Sequence, residues 1–441
     1  MTRPLAIIDW STLSTAERSA ALKRPAQKNA AEQLASVRVI VDDVRARGDA
    51  ALLELTARFD GVHLTSIAAS SSEFAAAEAT LTDIQRTALD RAIDNVHRFH
   101  EAQRPTPIRM EVSPGVICEQ IYRPIDAIGG YVPAGVAPLP SAAIMIAVPA
   151  RIAGCSTRIL CTPPRKDGTA DPGVLAVAKR CGIDRVFKVG GAQAIAAMAY
   201  GTESIPKVAK LFGPGSSWVT AAKLLVANDA EGASLDLPAG PSEVLVIADD
   251  SARADFVAAD LLAQAEHSDD AQVVLVTTSR ALAEEVVREV ATQRARLSRS
   301  GTLNAAIEHA RVILVRDLDA ALAVTNEYAP EHAIVQIRDA RQALPKIRNA
   351  GAIFIGDYTP ETMGDYCSGA NHVLPTYGFA RAFSGLSLAD FMKRMTVQEL
   401  TPAGLKDLGP TAITIAQMEG LDAHANAVAV RLSHLQSGNR Q

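Results

Sequence analysis

The stretch VLVIADDSARADFVAADLLAQAEHSDDAQVVLVT, residues 244–277, decides the fold class. Two short apolar runs, Val244–Ala248 and Gln272–Thr277, flank a longer segment, Ala252–His267, whose apolar residues recur at helical spacing. A buried strand, a helix and a second buried strand in this order form a βαβ unit, and such units build parallel sheets. The stretch therefore predicts an α/β domain whose sheet is covered by helices.

The same alternation extends in both directions along the chain. Downstream it predicts helices and strands in turn, at residues 281–296, 311–315, 318–328, 333–336, 340–348 and 352–355. Upstream it predicts strands at 159–161, 185–189 and 208–212, and helices at 172–181, 192–200 and 217–226. We therefore predict an α/β fold with two Rossmann-like, doubly wound parallel-sheet domains and smaller helical N- and C-terminal segments.

The segments outside this alternation set the expected domain boundaries. Helical periodicity dominates before residue 105, and helical patterns return from Leu386 onward. Strands are predicted at 116–122 and 127–132, whereas glycine and proline interrupt residues 129–141, GGYVPAGVAPLPS, and predict an irregular loop beside a site. The expected regions are residues 1–115 (mainly helical), 116–237 (first Rossmann-like domain), 238–383 (second Rossmann-like domain) and 384–441 (helical tail).

Composition excludes several classes of protein. The formal net charge of −5 offers no basic surface to nucleic acid or anionic lipid, so we expect neither as a partner. The longest apolar stretch, Ala142–Ala150, is too short to span a bilayer, and no secretory signal is visible at the N-terminus. The five cysteines are odd in number and lack CxxC spacing, which argues against disulfides and fits a cytoplasmic location.

Two glycine turns follow predicted strands and open predicted helices. They are Gly190-Gly191 and Gly213-Pro214-Gly215, and either could present backbone N–H groups to a pyrophosphate. Neither matches the G-x-G-x-x-G pattern of dinucleotide-binding domains. An ordinary tight turn between strand and helix is the slightly preferred interpretation of both, so the glycine pattern alone does not establish NAD binding.

Several metal-ligating residue types stand near the ends of predicted elements. Gln264 and His267 are three apart and share one helix face, and Asp365, His372 and His424 lie in later segments. Histidine nitrogen and carboxylate oxygen are typical zinc ligands. Helix capping and turn formation are the competing explanations, and on residue type alone Glu266 is a better ligand than Gln264.

Glu331 and His332 form an adjacent acid–base pair just before a predicted strand. A histidine can take the proton of a hydroxyl during hydride transfer, and a neighbouring carboxylate can activate water or hold the imidazole. This pairing suits the oxidation of an alcohol followed by hydration of an aldehyde. Adjacent Glu-His pairs are also common at exposed, inert positions.

Taken together, seven segments resemble the successive motifs of bacterial histidinol dehydrogenases. In chain order they are IGGYVPAGVAPLPS, GGAQAIAAMAYGTESIPKV, DLPAGPSEVLVIAD, LLAQAEH, YAPEH, GDYCSGANHVLPTYG and EGLDAHANAV. The resemblance covers the chain from about residue 30 to its C-terminus. It implies a homodimer with shared active sites, whose helical tail reaches the partner subunit. It also implies one zinc per subunit and oxidation of L-histidinol through L-histidinal to L-histidine with two NAD, the final steps of histidine biosynthesis.

The resemblance also implies a role for individual residues. The catalytic pair would be Glu331 and His332, and the zinc ligands would be Gln264, rather than Glu266, with His267, Asp365 and, from the partner subunit, His424. Substrate would be bound by these four ligands and by Ser242, His332, His372 and Glu419. NAD would be bound by Tyr131, Gln193 and Ser216.

Three positions depart from the family pattern. Ser216 replaces an asparagine that contacts NAD, which puts NAD affinity in question, while Ala209 and Ala134 replace an acidic residue and a glycine. The alternatives are a paralogue that oxidises another alcohol, such as a sulfonated diol, a zinc hydrolase without NAD, and a binding protein without activity. Glu419 and His372 suit the amine and imidazole of histidinol rather than a sulfonate. Retention of the Glu331–His332 pair argues against a binding protein.

Overall fold

The computed structural model describes residues 5–25, 30–134, 137–238 and 240–437. The chain divides into two compact units, the first formed by residues 1–103 and 125–390 and the second by residues 104–124 and 391–441. Gly135 and Val136, in the predicted glycine- and proline-rich loop, lie outside the described residues. None of the described helices combines the length and apolar character needed to cross a bilayer.

The strands are β1 (Ile7–Asp9), β2 (Ile108–Ser113), β3 (Val116–Pro124), β4 (Ala127–Tyr131), β5 (Thr157–Cys161), β6 (Val186–Phe187), β7 (Lys210–Phe212), β8 (Ser234–Leu235), β9 (Glu243–Ala248), β10 (Gln272–Thr277), β11 (Arg311–Leu314), β12 (His332–Gln336), β13 (Ala352–Ile355) and β14 (Met392–Leu400).

The helices are α1 (Thr15–Ala21), α2 (Ala30–Arg47), α3 (Asp49–Phe59), α4 (Ser71–Thr80), α5 (Asp83–Glu101), α6 (Pro140–Ala153), α7 (Pro172–Arg180), α8 (Gly191–Tyr200), α9 (Ser217–Ala227), α10 (Ala254–Ala265), α11 (Arg280–Arg294), α12 (Ser300–Glu308), α13 (Leu318–Tyr328), α14 (Glu361–Tyr366), α15 (Pro402–Met418) and α16 (Asp422–Ser437). Short 3-10 helices cover Trp10–Thr12, Ala340–Lys346, Phe379–Arg381 and Leu388–Phe391.

The larger sheet has six parallel strands in the order β1-β11-β10-β9-β12-β13. Successive residues of β9 point to opposite faces, so Val244 and Val246 enter one apolar core and Leu245 and Ile247 enter another. A sheet buried on both faces in this way is doubly wound, which confirms the predicted architecture. The sequence patterns missed β1, which lies at the edge of this sheet beside β11.

The smaller parallel sheet has the order β6-β5-β4-β7-β8. Residues 129–141 were predicted to be irregular throughout, but Gly129 and Gly130 belong to β4 and α6 begins at Pro140. The predicted strand at 127–132 is therefore right and the loop is shorter. A side chain at Gly130 would meet the side chains of Leu160 and Ile146, which explains a glycine inside a buried strand.

The second unit holds a three-stranded antiparallel sheet, β14-β3-β2, and the helix pair α15 and α16. The prediction that the chain is helical from Leu386 onward is wrong here, because Met392–Leu400 pairs along its whole length with β3. The segment is mostly exposed, so it lacks the apolar alternation that marks a half-buried strand. A second difference from the prediction lies at residues 340–348. The helix there is a 3-10 helix, Ala340–Lys346, which contains Pro345.

Candidate active site

The predicted catalytic and metal-binding residues of the first unit gather at the amino ends of β9 and β12. These strands are neighbours, and His332, the first residue of β12, pairs in register with Val244. Helix α10 runs back from the far end of β9 and ends at Ala265, so Gln264 lies in its last turn. These residues therefore lie at the amino edge of the larger sheet, whereas open α/β sheets usually bind ligands at the opposite, carboxyl edge.

The acid–base pair is buried and held by the backbone of the neighbouring strand. The amide of Glu243 donates to Oε2 of Glu331 at 2.9 Å. Nδ1 of His332 lies 3.2 Å from the carbonyl oxygen of Glu243 and 3.6 Å from Oε2 of Glu331. Both side chains are less than a tenth exposed, so these two residues are not the inert surface pair that their adjacency alone would allow.

Asp365 lies between two histidines. Its Oδ1 is 3.7 Å from Nε2 of His332, and its Oδ2 is 4.0 Å from Nε2 of His267. Nδ1 of His372 contacts the carbonyl oxygen of Asp365 at 2.8 Å. Asp365 belongs to the short helix α14. His267 lies two residues beyond the end of α10, whereas the predicted helix included it.

The sequence patterns missed Glu361, the first residue of α14, which is buried beside Gln264. The surrounding donors and acceptors favour the Gln264 amide orientation in which the nitrogen lies 2.9 and 3.0 Å from the two carboxylate oxygens of Glu361. Glu361 precedes Asp365 by four residues, a spacing that puts both on one helix face. This four-residue spacing is the signal in the sequence from which Glu361 could have been predicted as a site residue.

Burial and charge shift the acid–base properties of this site. Burial raises the pKa of Glu331 to about 7, although the neighbouring His332 lowers it. Burial alone would lower the pKa of His332, but the carboxylates of Glu331 and Glu361 outweigh it and raise the pKa to about 10. Glu331 can therefore exchange a proton near neutral pH, as a base that activates water must.

The donor set suits a metal ion that takes nitrogen and oxygen ligands. Ligand atoms of His267, Glu361 and Asp365 all lie within 4.8 Å of one another. Burial lowers the pKa of His267, which favours the neutral imidazole that a metal requires. Within the part of the chain that the structure describes, Nε2 of His332 is buried without a hydrogen-bond partner, and it faces the same group. An N/O set of this kind fits Zn²⁺.

The remaining predicted substrate and metal residues are distributed over both units. Ser242 directly precedes β9, and its carbonyl oxygen accepts from the amide of Gln272. Glu419 caps the end of α15, and His424 lies in the first turn of α16; both are exposed residues of the second unit. The first unit thus gathers Gln264, His267 and Asp365 but not a fourth predicted ligand.

The predicted NAD residues lie at the carboxyl edge of the smaller sheet, which is the usual ligand edge. Tyr131 ends β4, and its hydroxyl accepts from the amide of Gly191 at 3.1 Å. Gln193 is buried in the first turn of α8, and Ser216 is the exposed N-cap of α9. Helix N-termini at this edge can bind a pyrophosphate.

A buried ion pair shapes the turn before α9. Asp236 accepts from the amide of Gly213 at 2.8 Å, and Lys223 donates to the carbonyl oxygen of Gly213 and to Asp236 at 2.9 Å. Gly213 has φ +109°, and a side chain there would collide with the carbonyl oxygen of Tyr131. The conformation of the turn is therefore fixed by the hydrogen bonds to Asp236 and Lys223 and by the close approach of the Tyr131 carbonyl oxygen to Gly213.

With this geometry established, comparison with known proteins identifies the family. The histidinol dehydrogenase family profile matches residues 22–432. The chain belongs to the histidinol dehydrogenase family. It is 54% identical over 426 residues to the histidinol dehydrogenase of Xanthomonas oryzae pv. oryzae, covering 97% of this chain and 99% of that protein. The histidinol dehydrogenase of Vibrio vulnificus is 53% identical, with 97% and 98% covered.

A solved structure agrees with this assignment. The crystal structure of histidinol dehydrogenase from Elizabethkingia anophelis superposes with a TM-score of 0.93 at 40% identity, covering 99% of each chain. The resemblance drawn from the seven sequence motifs is therefore confirmed, and the chain is an oxidoreductase of this family.

Proposed function

We propose that this protein oxidises L-histidinol to L-histidine through L-histidinal, reducing two NAD per turnover in the final steps of histidine biosynthesis. The observation that carries the proposal is the buried Glu331–His332 pair beside the donor set of His267 and Asp365, in a member of this family. A binding protein would not need a base poised next to a metal-type site, and a zinc hydrolase would act without NAD.

The proposed zinc ligands are Gln264, His267 and Asp365 with His424 of the partner subunit, at one zinc per subunit. This assignment is supported by the three donors gathered in the first unit and by the exposure of His424, which leaves it accessible to another chain. It makes the functional unit a homodimer with shared sites, and we propose a cytoplasmic location. When bound, zinc holds the nitrogens of the substrate, and NAD accepts the hydride of each oxidation.

Residues of this chain accept and donate the protons that the reaction transfers. The charge of a zinc ion bound at this site would oppose the carboxylates that raise the pKa of His332, so that its imidazole can take the hydroxyl proton of histidinol. Glu331 takes a proton from the water that adds to the aldehyde. As that water adds, His332 returns its proton to the aldehyde oxygen, and it can then take the hydroxyl proton of the hydrate in the second oxidation. Glu243 holds both side chains from one strand, so a single rigid element keeps them oriented through all these steps.

The remaining proposed contacts follow the family pattern. Ser242, His372 and Glu419 would bind the substrate, and Tyr131, Gln193 and Ser216 would bind NAD. Burial lowers the pKa of His372, so its imidazole is neutral at neutral pH and can meet a cationic substrate without repulsion.

The test follows NADH absorbance with purified protein, excess NAD and limiting L-histidinol, with and without a zinc chelator. We expect two NADH per histidinol, loss of activity on chelation and recovery with zinc. The His267→Asn variant should lose zinc, whereas His63→Asn, an exposed histidine outside the site, should behave like the wild type. Bound zinc and NAD without any NADH from histidinol would contradict the substrate and favour a paralogue acting on another alcohol.

A further inference from the structure

Glu361 contributes a buried carboxylate that neither the acid–base pair nor the proposed zinc ligands account for. Its side chain is 1% exposed and Gln264 is 0% exposed. The amide nitrogen of Gln264 lies 2.9 and 3.0 Å from its two oxygens and 3.1 Å from Nδ1 of His332. Both carboxylate oxygens of Glu361 are therefore within hydrogen-bond distance of one donor.

An amide side chain has a donor end and an acceptor end, and only the oxygen binds a metal ion. With the nitrogen of Gln264 held by Glu361, the oxygen is left as the end available to a cation. Glutamine is also neutral and has several rotatable bonds, so it is a weak ligand unless its orientation is fixed. Residues that orient metal ligands in this way typically contribute a factor of about 10–100 to metal affinity.

We propose that Glu361 is a positioning residue, which fixes the Gln264 amide so that its oxygen faces the zinc ion. The inference rests on the proposed function, since it requires that zinc binds at this site. It gives a physical reason why the neutral Gln264 can serve as a zinc ligand, although the nearby Glu266 is a stronger ligand by residue type.

The competing role for Glu361 is direct ligation. Its oxygens lie within 4.8 Å of ligand atoms of His267 and Asp365, so distance alone allows it. The two roles differ in what they require of the side chain. A positioning residue needs an acceptor beside Gln264, and a glutamine supplies one, whereas a direct ligand changed to glutamine would offer zinc a neutral and weaker donor than the carboxylate.

The experiment measures zinc affinity by chelator competition on the full-length protein in its native oligomeric state. The variants are Glu361→Met, which keeps the volume but removes the acceptors, Glu361→Gln, which keeps an acceptor, Gln264→Ala, and the Gln264→Ala/Glu361→Met double variant. We expect Glu361→Met to weaken zinc binding about 10–100-fold and Glu361→Gln to stay within about threefold of the wild type. In the Gln264→Ala background, Glu361→Met should add almost nothing.

The visible spectrum of the cobalt-substituted protein gives a second readout of ligand geometry. We expect the wild-type spectrum to persist in Glu361→Gln and to change in Glu361→Met. An equal loss of zinc affinity in Glu361→Met and Glu361→Gln would overturn the positioning role in favour of direct ligation. Losses that add up in the Gln264→Ala/Glu361→Met double variant would do the same. Unchanged affinity in Glu361→Met would overturn it while leaving the proposed function intact. A wild type that binds no zinc would overturn both.

Discussion

The amide of Glu243 donates a hydrogen bond to Glu331, and the carbonyl oxygen of Glu243 lies 3.2 Å from His332. One strand residue therefore orients both members of the acid–base pair through its backbone. Its side chain, 1% exposed, is held in turn by Arg24, whose guanidinium donates to both carboxylate oxygens at 2.5 and 2.7 Å. Tyr328 also donates to this carboxylate, at 3.2 Å.

Removing Arg24 should therefore affect both stability and catalysis. The Arg24→Met variant leaves the Glu243 carboxylate buried without its cation, which costs about 3–5 kcal/mol of the free energy of unfolding. Loss of this anchor also loosens the backbone that holds Glu331 and His332, so kcat should fall more than KM for histidinol rises. Urea unfolding and steady-state kinetics on the same preparation measure the two effects.

The matched control is Arg47→Met. Arg47 bonds Asp43 and Glu54 in an exposed ion-pair group, and such pairs contribute about 0–1 kcal/mol. Its kinetic constants should equal those of the wild type. If Arg24→Met were as stable and as active as Arg47→Met, the buried ion pair would have no part in holding the site.

Replacing Glu331 by glutamine should separate the two oxidations. Glu331→Gln keeps the size of the side chain and an oxygen that can accept from Glu243, but it cannot take a proton from water. The first oxidation relies on His332, so it should continue, whereas hydration of the aldehyde should slow by about 100-fold or more. NADH yield in a short assay should fall from two toward one per histidinol, with aldehyde detectable by a carbonyl reagent.

His332→Asn is the counterpart of that variant. It removes the base for both hydride transfers, so the rates of the first and second NADH should fall together. An undiminished yield of two NADH in Glu331→Gln at the wild-type rate would show that Glu331 does not activate the water.

The sequence predicted those parts of the fold that local pattern determines. The strands β9 and β10 and the helix between them are continuous apolar runs and a helical repeat, so periodicity is enough. Strand β1 has three residues, and β14 is exposed, so both depend on pairing with strands distant in sequence. Such pairing leaves no local signal.

The same division holds for the site. Glu331 and His332 are adjacent, and their residue types suggest acid–base chemistry without any structure. Gln264 required the family resemblance, because glutamine is an unusual zinc ligand. Glu361 escaped notice because its importance depends on a contact with Gln264, which lies 97 positions earlier in the sequence.

Asp260 should make stability depend on pH. Burial raises its pKa to about 7, although a hydrogen bond of 2.7 Å from Gln336 lowers it. The folded state thus binds this proton more tightly than the unfolded state, whose pKa is about 3.9. Its stabilising contribution is full below about pH 4 and is lost as the pH rises to about 7, by at most about 4 kcal/mol.

Asp260→Asn removes this titration and keeps an oxygen that accepts from Gln336. Between pH 5 and 8, the difference in free energy of unfolding between variant and wild type should shift in favour of the variant. Urea titrations across that range measure the shift. Asp319→Asn is the control, because the ion pair with Lys346 lowers the pKa of Asp319 and moves its titration below this range. Parallel pH profiles for Asp260→Asn and the wild type would contradict the raised pKa.

Ser216→Asn should strengthen NAD binding. Ser216 is the exposed N-cap of α9 and makes no side-chain capping bond among the described residues, so replacing it removes no existing cap. Asparagine is an equally good N-cap residue, and the resemblance to the family implies that an asparagine at this turn contacts NAD. One additional hydrogen bond of about 1 kcal/mol should lower KM for NAD about fivefold without changing kcat.

Ser279→Asn makes the same substitution at the N-cap of α11, where the serine caps Leu282. It should leave KM for NAD unchanged, which separates an effect on the cofactor from a general effect of asparagine on helix stability. A direct measurement of the NAD dissociation constant by fluorescence titration removes any kinetic contribution to KM. Equal NAD affinity in Ser216→Asn and wild type would mean that the turn at Gly213 does not bring residue 216 to the cofactor, and that the departure from the family pattern is neutral.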